Sequence, residues 1–294
     1  MDKQKILLAG KIASQIREFA RKNIKKGMKL IDIADLIEDK MSEINPDAKP
    51  AFPTCLSVDF IAAHATPAHD DERIAKGILK VDMGVHLDGW IADTAFSIDL
   101  ENKEENKKII LASENALKAA IKTIKNKVEI REIGKAIHKE ISSLGLNPIT
   151  NLGGHGINQY DLHSRVWIPN TDNKDKEKIV PGLYAIEPFA TSGIGKVHDG
   201  NPSGIYKLKT EKNIRSPIAR EVLNFIKKEY QTLPFCSRWL VKKFGTKALF
   251  GLKQLEEQNV LHSYAELVEN SKSLVAQTEH TILVEEDKVI VTTL

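Results

Sequence analysis

Lys80-Val-Asp-Met-Gly-Val-His-Leu-Asp-Gly-Trp-Ile-Ala-Asp-Thr-Ala95 contains the turn around which the chain is organised. Asp88-Gly89, flanked by alternating residues, is a strong signal for a hairpin with a two-residue loop. That loop pairs Leu87 with Trp90 and sets Gly84 opposite Asp93. Asp82 then lies one step diagonally from Asp93 on the same face, ~7–8 Å away by backbone and within side-chain reach. Gly84 leaves open space across from Asp93. A solvated outer face fits poorly, because Val81, Ile91, Ala92, Ala95 and Phe96 make the hairpin core-like. Two carboxylates side by side repel each other unless something positive lies between them.

Upstream, residues 3–25 read as an amphipathic helix carrying Ile12, Ile16, Phe19, Ala20 and Ile24, ended by Gly27. A second helix is expected over 31–44, then a Pro-interrupted strand or loop into Ala62-Ala63-His64. Downstream of the hairpin, helices over 103–125 and 129–143 repeat the first pair at an offset of one hundred residues. Ile16, Ala20 and Ile24 match Ala116, Ala120 and Ile124; Leu30, Ile33, Ile37 and Met41 match Ile130, Ile133, Ile137 and Ile141. The chain therefore reads as two related halves, each a helix pair followed by strands.

The second half brings Gly-rich turns around His155, a strand over 179–191 containing Glu187, and a loop-rich stretch from Gly193 to Gly204. In that strand, alternation puts Tyr184 and Ile186 on one face and Ala185, Glu187 and Phe189 on the other. Residues 216–264 break the repeat and read as an inserted helical subdomain of three helices. The rest, 1–215 and 265–294, forms the main domain, closed by strands over 275–284 and 288–293.

Asp82, Asp93, His155, Glu187 and Glu279 are awkward in apolar or Gly-rich strands. If the halves pack about a pseudo-twofold axis, four carboxylates converge, and two divalent cations would neutralise them. An oxygen-rich set with one imidazole suits Mn²⁺, Fe²⁺, Co²⁺ or Zn²⁺ rather than a structural zinc site. Two such ions can activate water and polarise a carbonyl.

Composition narrows the class. A net charge of +3 with interspersed signs gives no case for nucleic acid or an anionic membrane, and no basic stripe runs along one helix of the insert. No apolar run is long enough for a membrane span, and no leader is visible, so a cytoplasmic protein is expected. The two cysteines, Cys55 and Cys236, are far apart and expected to be reduced. His69, His86, His138, His198, His262 and His280 lack motif context and are read as surface or packing residues.

The chain resembles the type II methionine aminopeptidases in their short archaeal form. The resemblance is carried by Phe52-Pro-Thr54, Ala62-Ala-His64, Lys80-Val-Asp82-Met-Gly84, Ile91-Ala-Asp93-Thr-Ala-Phe96, Gly154-His155-Gly156, Leu162-His163, Ala185-Ile-Glu187-Pro-Phe189, Leu233-Pro-Phe-Cys-Ser-Arg-Trp239 and Thr278-Glu279-His-Thr-Ile282. It spans essentially the whole chain, and the insert between the two glutamates points to type II. It implies the α+β "pita-bread" fold, a curved antiparallel sheet with helices outside. It implies a dinuclear centre holding Co, Mn, Fe, Zn or Ni. Asp82, Asp93 and Glu279 would bind one ion, and Asp93, His155, Glu187 and Glu279 the other. His64 and His163 match the histidines that hold substrate, Glu187 moves protons, and Phe52, Tyr264, Leu162 and Ile205 wall the methionine pocket. The implied activity removes the initiator methionine of nascent chains with a small second residue. A monomer with no nucleic-acid partner is expected, with the ribosome left open as a contact. Two alternatives stand beside it. One is a Xaa-Pro peptidase of the same fold, disfavoured because the first helix starts at the N-terminus. The other is a non-catalytic ribosome- or nucleic-acid-associated homologue, disfavoured because all five ligands are present.

Overall fold

The computed structural model describes all of residues 1–294. The first half runs α1 (Lys3–Asn23), α2 (Leu30–Ile44), β1 (Lys49–Val58), β2 (Ile61–Ala63), β3 (Ile78–Leu87) and β4 (Trp90–Asp99). The second begins with α3 (Glu104–Thr123) and α4 (Ile130–Ser143), then β5 (Asn147–Pro148), β6 (Gly153–Asn158), β7 (Asp161–Pro169), β8 (Gly182–Ile186), β9 (Phe189–Thr191) and β10 (Val197–Leu208). It continues through α5 (Pro217–Glu229), β11 (Phe235–Cys236), α6 (Ser237–Phe244) and α7 (Lys247–Glu257). It closes with β12 (Leu261–Glu269), β13 (Val275–Gln277), β14 (Glu279–Val284) and β15 (Val289–Val291). No helix is long and apolar enough to cross a membrane.

One eight-stranded sheet dominates, in the order β1-β3-β4-β14-β8-β6-β7 with β15 on β14. A four-stranded sheet, β11-β10-β12-β2, and a three-stranded one, β13-β9-β5, stand beside it. All helix pairs of the two halves pack on one face of the long sheet, which gives two separate cores. Ile12, Ile16, Ile33 and Ile37 meet Val81, Met83, Val85 and Phe96 in the first. Ile109, Ala116, Ile133 and Ile137 meet Tyr184, Ile186, Ile282 and Val284 in the second. This is the pita-bread arrangement the resemblance implies.

The hairpin has the expected register: Leu87 pairs with Trp90, Gly84 with Asp93 and Asp82 with Ala95. Asp88 and Gly89 both have positive φ, +51° and +78°, as a type I′ turn requires. The repeat extends into hydrogen bonds that side-chain patterns cannot show. Gly27 N donates to Ala75 O, Ala75 N to Met28 O and Leu30 N to Arg73 O. In the second half Lys127 N donates to Ile179 O, Ile179 N to Val128 O and Ile130 N to Glu177 O. The turn residues Gly27 and Lys127 share the left-handed conformation, with φ of +85° and +65°.

Three expectations need correction. The stretch Gly193–Gly204 is mostly strand, not loop. Its Asp, Gly, Asn and Pro residues sit at register shifts around Asp199 and Pro202, so turn-forming chemistry serves as bulges. The inserted helices end at Glu257, short of residue 264. Leu261 already pairs with Leu208, and Ser263 with Tyr206, because this segment completes the four-stranded sheet; β11 adds a strand inside the insert. The strand expected over 275–284 is two strands in two different sheets, broken at Thr278, whose N–H donates to Pro188 O.

The insert has its own core of Val222, Ile226, Leu240, Leu252 and Leu255 among others. It docks on α2 through Arg238, whose side chain is wholly buried. Arg238 Nη1 donates to Asp35 Oδ1 at 2.7 Å, and Nη2 to Glu38 Oε1 at 2.8 Å. Glu38 also accepts from Trp239 Nε1 at 2.8 Å and from Thr54 N at 3.2 Å. A buried guanidinium persists because this set satisfies it.

Candidate metal centre

The sheet switches place the acidic groups. Glu187 lies in the two-residue gap between β8 and β9, and Glu279 is the first residue of β14. At both points a strand leaves the long sheet for the three-stranded one, and the sheets open around a cavity of about 320 Å³. Asp82 and Asp93 reach it from the middle of the hairpin, and His155 from β6, where it pairs with Ala185.

Ligand atoms of Asp93, His155 and Glu279 all lie within 4.8 Å of one another. His155 Nε2 is 3.7 Å from Asp93 Oδ2 and 3.7 Å from Glu187 Oε1. Asp82 joins through Gln277, whose Nε2 donates to Asp82 Oδ2 at 3.1 Å and to Glu187 Oε2 at 3.3 Å. Thr281 fixes the Asp93 backbone: its Oγ1 accepts from Asp93 N at 2.7 Å and donates to Asp93 O at 2.8 Å. Thr281 follows from strand alternation, two residues beyond Glu279 on β14, whereas Gln277 ends β13 in the three-stranded sheet and reaches the site across the break at Thr278. Sequence reasoning missed both, although the i+2 position of a strand ligand was available.

The electrostatics call for positive charge. Burial pushes Asp82 up to about 6, and burial followed by neighbouring carboxylates raises Asp93, Glu187 and Glu279 well above the usual range. Burial lowers His155 to about 4, which keeps it a neutral imidazole able to ligate. Asp82 Oδ1, Asp93 Oδ1 and Glu279 Oε1 are buried with no hydrogen-bond partner. Orphaned anionic oxygens of this kind are costly without a cation, so the donor set fits divalent metal.

His163 on β7 sets its ring 4.3 Å from that of His155. Burial, then the His155 and His64 rings, lowers its pKa well below the usual value. His64 takes a left-handed backbone, φ +63°, uncommon for a residue with a side chain, and its ring meets Tyr264 edge-on at 5.5 Å. Phe52, Leu162, Ile205 and Tyr264 all line the same cavity. The space that Gly84 leaves is not open: a Cβ there would meet the Phe52 ring at 2.3 Å, so the glycine admits that ring beside Asp93. Phe189 lines the cavity on the Glu187 face, and Leu267, Asn151, Val166 and Trp167, which were not anticipated, line it as well. Leu267 comes from β12, far along the chain, Asn151 from the turn before β6, and Val166 and Trp167 from the β6–β7 hairpin at a register shift beside His155.

The remaining candidates are structural. His86 Nδ1 accepts from Gly89 N at 3.0 Å, which closes the hairpin turn. His280 contacts Arg17 and Thr293, away from the cavity. Cys55 borders the cavity, but burial and the charges of Asp82 and Asp93 push its thiol up, which disfavours a thiolate nucleophile.

Comparison with known proteins gives one consistent picture. The model of metallopeptidase family M24 matches residues 4–286. A methionine aminopeptidase of Pyrococcus abyssi is 45% identical over 298 residues, covering 100% of both chains. One of Methanocaldococcus jannaschii is 43% identical, covering 99% of this chain and 98% of that one. Among solved structures, a thermophilic Arx1 superposes with a TM-score of 0.84 at 18% identity, covering 98% of this chain and 90% of that one, a likeness of fold.

Proposed function

The chain belongs to metallopeptidase family M24, and on that premise we propose that it removes N-terminal methionine from peptides whose second residue is small. It is an aminopeptidase, a hydrolase of the peptide bond. The observation that carries the reading is the convergence of Asp82, Asp93, His155, Glu187 and Glu279 in one cavity that is also lined by His64 and His163 and by the apolar side chains of Phe52, Leu162 and Ile205. Two divalent ions are proposed there, one held by Asp82, Asp93 and Glu279, the other by Asp93, His155, Glu187 and Glu279. Co, Mn, Fe, Zn and Ni all suit this donor set.

Divalent metal bound at these residues supplies Lewis-acid polarisation of the scissile carbonyl and acidifies the attacking water. The protein does the rest. Phe52, Leu162, Ile205 and Tyr264 enclose the flexible thioether side chain, which packs well against aromatic rings. Glu187, in the cavity beside the position of the scissile bond, takes a proton from the attacking water and delivers it to the departing amine. His163 and His64 donate hydrogen bonds to the oxyanion that develops on the carbonyl. The reading extends to a cytoplasmic monomer acting on the N-terminal methionine of nascent chains, with the ribosome open as a contact and no specific nucleic-acid partner.

The test is release of methionine from Met-Ala-Ser by metal-stripped protein reconstituted with each of the five metals, with Ala-Pro as the competing substrate. Release of methionine, lost on chelation and regained on metal addition, is expected. No release with any metal, or turnover of Ala-Pro in its place, overturns the reading.

A further inference from the structure

Phe52, Leu162, Ile205 and Tyr264 line the part of the cavity assigned to methionine, and Asn151, Leu152, Val166 and Trp167 line the cavity as well. Trp167 is the feature there that the reaction does not use. It lies on β7, the terminal strand of the long sheet, and pairs directly with His155. Residues paired across an antiparallel ladder share a face, with Cβ atoms ~4.5–5.5 Å apart. Trp167 therefore stands beside a ligand of the metal centre, on its side of the sheet, yet is 44% exposed. A ladder irregularity between His155 and Gly156 leaves Arg165 and Val166 without partners and turns the strand at this point. A lone exposed tryptophan needs no explanation on an open surface. One at the mouth of a catalytic cavity, next to a ligand, offers a large flat face where a substrate chain must leave.

With an N-terminal methionine among Phe52, Leu162, Ile205 and Tyr264, the rest of the peptide leaves toward solvent, and Trp167 is a cavity-lining side chain that reaches solvent. An extended chain advances ~3.3–3.6 Å per residue, which brings the third residue about one ring length beyond the cleaved bond. We propose that Trp167 is a specificity-determining residue: its indole face receives the side chain of the third residue of the peptide and favours aromatic or large apolar groups there. The proposal rests on the methionine-releasing activity above and adds a preference two positions beyond the residue removed. Stacking and burial at such a platform are worth roughly a three- to tenfold gain in kcat/KM, expressed in KM, since the contact exists before and throughout the reaction.

The test compares Met-Ala-Phe with Met-Ala-Gly, using metal-loaded wild type, Trp167→Ala and Trp167→Phe. The ratio of the two kcat/KM values is independent of how much protein is folded. Wild type should favour Met-Ala-Phe through KM, Trp167→Ala should bring the ratio toward one, and Trp167→Phe should keep most of it. Methionine released with no preference in wild type, or with the same ratio in Trp167→Ala, overturns the platform alone. No methionine from either peptide overturns the activity itself and the platform with it.

Discussion

The two halves of the molecule solve the same problem at different lengths. In the first, β3 and β4 are joined by Asp88-Gly89, and both aspartates come from that one hairpin. In the second, β8 and β14 pair in the equivalent way, Ile186 against His280 and Ala185 against Thr281, but the chain between their glutamates runs from Pro188 to Thr278. The central strands β4 and β14 pair with each other, Ala95 against Glu279, and so join the halves. The tight hairpin supplies charge alone. The opened one supplies charge plus Phe189, Ile205, Pro234, Tyr264 and Leu267 of the cavity wall. The symmetric strand pairs carry the four carboxylates of the proposed metal centre, and the asymmetric excursion carries much of the cavity wall.

The sharpest way to break this equivalence is to remove the matching central ligands one at a time. Asp93→Ala and Glu279→Ala should each lower kcat/KM on the order of 10⁴-fold, ~5.4 kcal/mol of barrier, with metal content falling in parallel. Elemental analysis and peptide kinetics check this. Loss of less than tenfold in either variant would remove that residue from the centre.

A smaller effect tests the asymmetry. In α2, Asp35 and Glu38 receive Arg238 from the insert; the matching positions in α4 are Lys135 and His138, which could not. Arg238→Ala leaves Glu38 buried and short of its main partner and should cost about 3–4 kcal/mol of unfolding free energy by urea titration. A change within about 0.5 kcal/mol, typical of surface sites, would mean the insert does not lean on the first half.

The mildest effect is a pH dependence confined to the tight hairpin. Burial, then the charge of Lys49, lowers His86 to about 4. An unfolded imidazole takes its proton near 6.5, so between pH 6.5 and about 4 the unfolded state binds more protons than the folded one. This contribution is fully present above pH 6.5 and is lost as pH falls through about 4, about 3 kcal/mol in all. His86→Gln should flatten that part of the stability–pH curve by the same amount. Parallel curves for wild type and variant would show that the ring is protonated as easily folded as unfolded.

What the sequence revealed follows the same division. Asp82 and Asp93 were legible because turn chemistry and two-residue alternation are local signals, and the helix repeat was legible because its period survives in Ile, Leu and Ala. Glu187 and Glu279 stood out as charges in apolar strands. The bulged strand β10 was hidden because Gly200, Asn201, Pro202 and Ser203 have the composition of a loop. Trp167 was hidden because a register shift between His155 and Gly156 sets its place opposite His155, and Leu267 because nothing local reveals which distant strand will face it. Thr281 was hidden only by attention to charge, since its place two residues along β14 was set by Glu279, and Gln277 was hidden because the break at Thr278 puts it in another sheet.

The unequal connections also bear on the order of assembly. A two-residue turn closes its ladder at little entropic cost, whereas closing the loop from Pro188 to Thr278 costs on the order of 3 kcal/mol more. The first half-site can thus form from neighbouring residues, while Glu279 reaches it only after the intervening sheets and helices have brought β14 home. The catalytic centre is then among the last parts of the chain to exist, and a partly folded molecule holds two aspartates with no complete cage to offer a metal.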